Sequence, residues 1–252
     1  AEFAILEAAS RLGPEALKCV YVAPYDAVVS RQLERWRETL EPSLGVRVMA
    51  LSGETALDLK ILNGSGVILS TPQNWDQISR RWRHRKGVQA VNLFILDGLH
   101  LVSSPIGPCI EVITSRMRYI GRQTDRPLRI VALGAPIANA KDIGEWIGAK
   151  GQATFNFHYS SRPTPLQVQL LGFDCPFHET RLESMVRPAF QAICKREGSR
   201  AILFVPSWKV ARMATVDLLS MAAAGGDEKH FLGCQEEDLL GHLAGISDKA
   251  LA

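Results

Sequence analysis

Asp97 and His100 are the two residues of this sequence best placed to do chemistry. They follow an apolar run, Val91 to Leu96, in the order Asp97-Gly98-Leu99-His100. A buried parallel strand delivers such an acid to its carboxyl end, where open α/β sheets place their ligands. The acid can face a ligand there, or it can cap the turn that follows. Gly98, between the acid and the histidine, brings no functional group at all. A histidine in that position more often packs and hydrogen-bonds than catalyses.

The second candidate is the basic run Arg80-Arg81-Trp82-Arg83-His84-Arg85-Lys86. It could meet RNA phosphates or an acidic partner surface. It could equally be a solvated helix end whose tryptophans, Trp75 and Trp82, belong to the core. Cys109 follows Pro108 at a helix start, which can lower a thiol pKa. With no base beside it, Cys109 reads as inert. His158, His178, His230 and His242 show no metal-ligand spacing.

The positioning elements follow from hydrophobic periodicity. Strands are expected at Cys19 to Ala23, Val46 to Leu51, Val67 to Ser70, Val91 to Leu96 and Arg129 to Leu133. Helices are expected over residues 1–12, from Val28 to near Pro42, over Ala56 to Leu62, from Thr71-Pro72 into the basic run, over Ile110 to Ile120 and over Ala140 to Ile147. Strands alternating with helices in this way imply βαβ units and a mainly parallel sheet. Further on, Ala153 to Phe157 and Leu166 to Phe173 read as extended segments around Arg162-Pro163-Thr164-Pro165. Glu179 to Lys195 and Trp208 to Ala222 read as helices, Ala201 to Val205 as a buried strand, and Ala222 to Gly226 as a low-complexity, mobile stretch.

Composition narrows the class. The 252 residues carry 29 basic and 26 acidic side chains, a net charge of +3 that permits a nucleic-acid surface without arguing for one. The five cysteines (Cys19, Cys109, Cys175, Cys194, Cys234) are dispersed and form no C-x-x-C pair. That disfavours a disulfide framework or zinc site and favours a reducing compartment. No apolar stretch approaches the ~20 residues of a membrane span, so no membrane partner is expected. The opening, Ala1-Glu2-Phe3, has no basic signal-peptide region and reads as a helix already under way.

Taken together, the motifs resemble those of superfamily 2 DExH-box helicases. Val22-Ala23-Pro24 is similar to motif Ia, and Ser70-Thr71-Pro72-Gln73-Asn74-Trp75-Asp76 to motif Ib. Asp97 to His100 is similar to motif II, Gly134-Ala135-Pro136 occupies the place of motif III (S-A-T), and Phe204-Val205-Pro206-Ser207 resembles motif IV. Gly53-Glu54-Thr55, Ser79 to Trp82, Ser115 to Ile120, Arg129 to Leu133, Asn139 to Asp142 and Thr154 to His158 narrow the likeness to the two-cassette helicases of the spliceosome, and within them to the C-terminal cassette.

The resemblance implies tandem RecA-like parallel-sheet domains of the P-loop NTPase type, the second incomplete. Residues 1–150 would form a first domain lacking its P-loop strand, 151–180 a linker with crossing extended segments, and 181–252 the start of the second. In such enzymes the motif II Asp holds Mg²⁺ on the nucleotide phosphates and the next Glu orients the attacking water. Asp97 stands in the first place and Gly98 in the second. Gly134 and Pro136 replace the hydroxyls that couple nucleotide state to RNA grip. No G-x-x-x-x-G-K-[ST] occurs within these residues. In the family that loop lies just before the residues matching Ala1-Glu2-Phe3.

The resemblance therefore implies a pseudo-helicase cassette, with ATP and Mg²⁺ belonging to the parent protein. Its partners would be an active cassette in cis, other spliceosomal proteins and RNA, in the nucleus. Candidate contacts are Pro24, Thr71, Pro72, Arg80, Arg81, Arg83, Arg85 and Lys86. The rivals are a working RNA helicase in which another acid replaces Gly98, and a passive RNA-binding module built on the basic run. A related two-cassette helicase associated with transcription coactivators is a lesser alternative.

Overall fold

A computed structural model of the chain describes residues 1–124, 126–150, 152–195, 200–227 and 229–233, with 238, 241 and 243. Cys234 and His242 lie outside the described residues. The chain divides into two compact units, Ala1–Pro165 and Leu166–Ala252.

The first unit runs α1 (Glu2–Leu12), β1 (Cys19–Val22), α2 (Asp26–Leu44), β2 (Val48–Ala50), α3 (Thr55–Gly64), β3 (Val67–Ser70), α4 (Pro72–Ser79), α5 (Lys86–Gln89), β4 (Leu93–Asp97), α6 (Gly107–Gln123), β5 (Arg129–Leu133) and α7 (Ala140–Ile147). All five strands are parallel, in the order β2-β3-β1-β4-β5. The α/β expectation holds. β1 and β3 are buried along their whole length, so their sequences read as continuous apolar runs instead of alternating ones.

The pleat sends alternate residues to two cores. Cys19 and Tyr21 of β1 and Leu93 and Ile95 of β4 face α1 and α2, where Ile5, Trp36 and Leu40 pack. Val20, Val22, Phe94 and Leu96 face the opposite layer, built from Leu62, Trp75, Ile78, Ile113 and Met117. Trp36 meets Tyr21 edge-on with ring centroids 4.9 Å apart, and its indole N–H donates to Glu2 at 2.9 Å. Trp75 lies 6.1 Å from Phe94.

Two helices end where the sequence did not indicate. α2 continues through Pro42 to Leu44 and stops at Gly45, which is left-handed at φ 66. Proline is tolerated so near the end because little helix remains to disrupt. α4 does not run into the basic segment; it ends at Ser79. Arg85 folds back and donates to the carbonyls of Gln77 at 3.1 Å and Ile78 at 2.5 Å, satisfying acceptors that a longer helix would have used. Trp82 to His84 form a separate 3₁₀ turn.

The second unit contains α8 (His178–Cys194) and α9 (Trp208–Ala224), packed together with Val186, Ala214 and Ala222 buried. The low-complexity Ala222 to Ala224 belongs to α9. The expected buried strand Ala201 to Val205 is not formed: Ile202 and Phe204 are 81% and 89% exposed. A strand needs a neighbouring ladder, and the described residues of this unit supply none.

Candidate functional site

β1 connects toward β2 on one side of the sheet, and β4 connects toward β5 on the other. Their carboxyl ends therefore flank the topological switch point, the usual ligand crevice of an open α/β sheet. Asp97 ends β4 there, and Pro24 follows β1. Gly98 adopts a left-handed conformation, φ 82 and ψ 30, and opens a 3₁₀ turn over Leu99–Ser103. A Cβ at Gly98 would lie 3.1 Å from Pro24 Cγ, 3.3 Å from Pro24 Cδ and 3.5 Å from Leu101 Cδ1. A side chain here is disfavoured twice, by backbone conformation and by close packing.

Asp97 is held by its neighbour in the sheet. The Tyr21 phenol donates to Asp97 Oδ2 at 2.5 Å. Burial, then this hydrogen bond and the carboxylate charge, push the Tyr21 phenol well above its usual range. His100 is also committed. Its Nδ1 accepts from the backbone N–H of Ala135 at 3.1 Å, which leaves any proton of the neutral ring on Nε2. A Cβ at Gly134 would lie 3.1 Å from the His100 backbone N, so Gly134 permits the close approach on which that bond depends. Leu99 is buried beneath. The Asp97 to His100 segment and Gly134-Ala135-Pro136 are thus joined, but by packing and backbone bonds.

A hydrolytic magnesium–nucleotide site needs several oxygen ligands, a loop cradling the phosphates and an acid beside the water. Here one carboxylate is present, one of its oxygens is taken by Tyr21, and the neighbouring position is a glycine in a left-handed conformation that carries no acid. Among the described residues no group of three or more His, Cys, Asp or Glu could hold a metal. The residues of this chain do not by themselves fit such a site.

The remaining candidates separate into two places. Thr71 and Pro72 lie at the carboxyl edge with Pro24. Thr71 caps α4, its hydroxyl accepting from Asn74 N at 3.4 Å, and Pro72 fills the first turn. The basic run lies between α4 and β4, at the opposite, amino edge of the sheet. Part of the run is structural as well. Arg80 pairs with Asp76 at 2.5 Å, Arg85 caps α4, and Arg83 stacks over the Trp82 ring at 5.6 Å. Arg81 and Lys86 are exposed. Trp75 is fully buried, whereas Trp82 is half-buried and meets Tyr119 edge-on at 6.1 Å.

Sequence reasoning missed three residues. Asp76 bridges α4 and α6 by taking Arg116 at 2.7 Å as well as Arg80; Arg116 also donates to Ser79 Oγ at 2.7 Å. Burial raises the Asp76 pKa, but the hydrogen bonds and charges of Arg80 and Arg116 outweigh it and hold the carboxyl below its usual range. Asp58 is buried and accepts from Ser52 N, Ser52 Oγ and Gly53 N at 2.7 to 3.0 Å, fixing the Gly53-Glu54-Thr55 loop. Tyr21 reads from sequence as one more apolar strand residue, and nothing in one chain pairs it with Asp97. Cys109 is half-buried, and burial raises its pKa.

A profile of the DEAD/DEAH box helicase family matches residues 1–143, more than half of the chain. The U5 small nuclear ribonucleoprotein 200 kDa helicase of Homo sapiens is 44% identical over all 252 residues, which span 12% of that protein. The DExH-box ATP-dependent RNA helicase DExH12 of Arabidopsis thaliana is 47% identical over 223 residues, 87% of this chain and 10% of that protein. Among solved structures, the DUF1998 helicase MrfA bound to DNA and AMPPNP superposes with TM-score 0.59 at 14% identity. It covers 96% of this chain and 35% of that one, a likeness of fold alone. The chain thus spans about an eighth of the curated relatives it matches. With a parallel sheet, motif-bearing carboxyl edge and family match in agreement, this chain belongs to the DEAD/DEAH box helicases.

Proposed function

We propose that this chain is part of a pseudo-helicase cassette in a spliceosomal DExH RNA helicase, corresponding to the C-terminal cassette. It acts as a protein-interaction and regulatory platform for an active cassette in cis, in the nucleus. Residues 1–150 belong to its first RecA-like domain, 151–180 to the linker, and 181–252 to the start of the second domain.

The observation that carries this reading is Gly98. The place of the water-orienting acid is a left-handed glycine packed against Pro24, and it carries no functional group. Losing such a group costs on the order of 10²–10⁴ in rate. Motif III lacks its hydroxyls as well: Gly134 and Pro136 stand in their places, and Ala135 holds His100 through its backbone N–H. The splicing assignment rests on the 44% identity to a U5 small nuclear ribonucleoprotein helicase. The test is nucleotide turnover, with and without RNA, by the parent protein's cassette containing these residues. Background-level turnover is expected, and hydrolysis abolished by Asp97→Asn would overturn the reading.

A further inference from the structure

The amino edge of the first unit's sheet carries a built, basic cavity that neither the hydrolysis motifs nor the family match accounts for. Its volume is about 1110 Å³. The segments leading into all five strands contribute to it. Its charged lining is Arg11, Lys18, Arg47, Arg126 and Arg129, with Glu15 the one acid among the described lining residues. Arg129 is neutralised by Glu7 at 2.5 Å, which leaves four cations and one carboxylate among the described lining residues. Arg11, Arg47 and Arg126 are exposed.

The floor is rigid. Asn92 accepts from Lys18 N at 3.1 Å and donates through Nδ2 to Ala16 O at 2.6 Å, while its own carbonyl takes Arg129 N at 2.9 Å. Lys18 is half-buried and donates from Nζ to Ser65 O at 2.5 Å; burial lowers its pKa. Val67 N bonds to Arg47 O at 3.1 Å, and Cys19 N to Gly66 O at 2.8 Å. Such preorganisation lowers the cost of binding. The described lining residues include no aromatic ring, whereas single-stranded RNA is held by stacking on aromatic side chains as well as by charge. Leu12, Pro14 and Pro127 supply apolar rim instead. Cations in a concave, aromatic-free, partly apolar pocket suit carboxylates on a polypeptide.

We infer that this amino-edge cavity is a docking site for an acidic polypeptide segment of a partner protein. It deepens the platform reading by giving that platform a surface, and it rests on the reading that proteins dock here. Its test measures binding and not hydrolysis, so either can fail alone.

The experiment is fluorescence anisotropy of the parent protein's cassette that contains these residues, with a labelled peptide of alternating Glu and Ser, and with poly-uridine of equal length. Arg47→Glu combined with Arg126→Glu should weaken peptide binding at least about tenfold. Arg187→Glu with Arg212→Glu, an equal charge change on the second unit, should leave it unchanged. The neutral pair Arg47→Gln with Arg126→Gln should fall between. Thermal melting checks that each variant is folded. Equal weakening by both charge-reversed pairs, no measurable peptide binding, or poly-uridine binding that the cavity pair abolishes more strongly than peptide binding would each overturn the inference.

Discussion

Replacing Gly98 with glutamate would put back the side chain that the hydrolytic motif lacks, and the structure specifies what it would cost. At φ 82 any L-residue is in the left-handed region, a penalty of roughly 1–2 kcal/mol. The new Cβ would also stand 3.1 Å from Pro24 Cγ, so the proline ring must give by a few tenths of an ångström. Together these predict about 1–3 kcal/mol of destabilisation. At about 2–4 °C per kcal/mol for a chain of this size, Tm should fall by roughly 2–12 °C. Gly98→Ala should show nearly the whole loss, because the Cβ and not the carboxylate is responsible. Gly98→Asn should lose less, since Asn tolerates the left-handed region. Urea unfolding of the three variants gives the values. Hydrolysis should stay at background in Gly98→Glu, because Gly134-Ala135-Pro136 remains altered. A Gly98→Glu chain as stable as the original, or one that hydrolyses ATP robustly, would refute the reasoning.

Three further outcomes are expected. Arg116→Met should destabilise the first unit by about 2–3 kcal/mol, measured by urea unfolding, because it strands a mostly buried Asp76 carboxyl with only Arg80. The Asp76 pKa is lowered on folding, so its stabilisation is complete above the unfolded value of about 4 and is lost as pH falls through the folded one; Arg116→Met should flatten that acid limb. Tyr21→Phe should cost about 1–2 kcal/mol by removing the bond to Asp97. Since the phenol pKa is raised on folding, Tyr21 stabilises fully below about pH 10 and progressively less above it, and the variant should lose that part of the alkaline decline. Thr71→Ala should cost about 0.5–1 kcal/mol, and Thr71→Ser much less, as expected for a helix cap with a long 3.4 Å bond; thermal melting distinguishes them.

The sheet was legible in the sequence because its central strands are buried on both faces: Val67-Ile68-Leu69-Ser70 and Leu93 to Leu96 can hardly be anything else. The arrival of Asp97 at a carboxyl edge followed from the same pattern. Ala201 to Val205 shows the limit, since an apolar run becomes a strand only beside a partner. The placement of the basic run was not legible, for a different reason. Its residues share a charge, but Arg80 and Arg85 serve α4, and topology puts all of them across the sheet from Asp97. Gly98 was conspicuous as a missing acid; its left-handed backbone and the Pro24 contact came only from three-dimensional structure. The Tyr21–Asp97 bond spans 76 positions, and no local pattern announces it.

The most direct test of the pseudo-helicase account is RNA-stimulated ATP hydrolysis by the parent protein's cassette that contains these residues, read beside its Asp97→Asn variant. The account predicts turnover at background in both, indistinguishable with and without RNA. Turnover that RNA stimulates and Asp97→Asn abolishes would mean that another acid does the work of the one missing at Gly98, and the chain would then belong to a working enzyme.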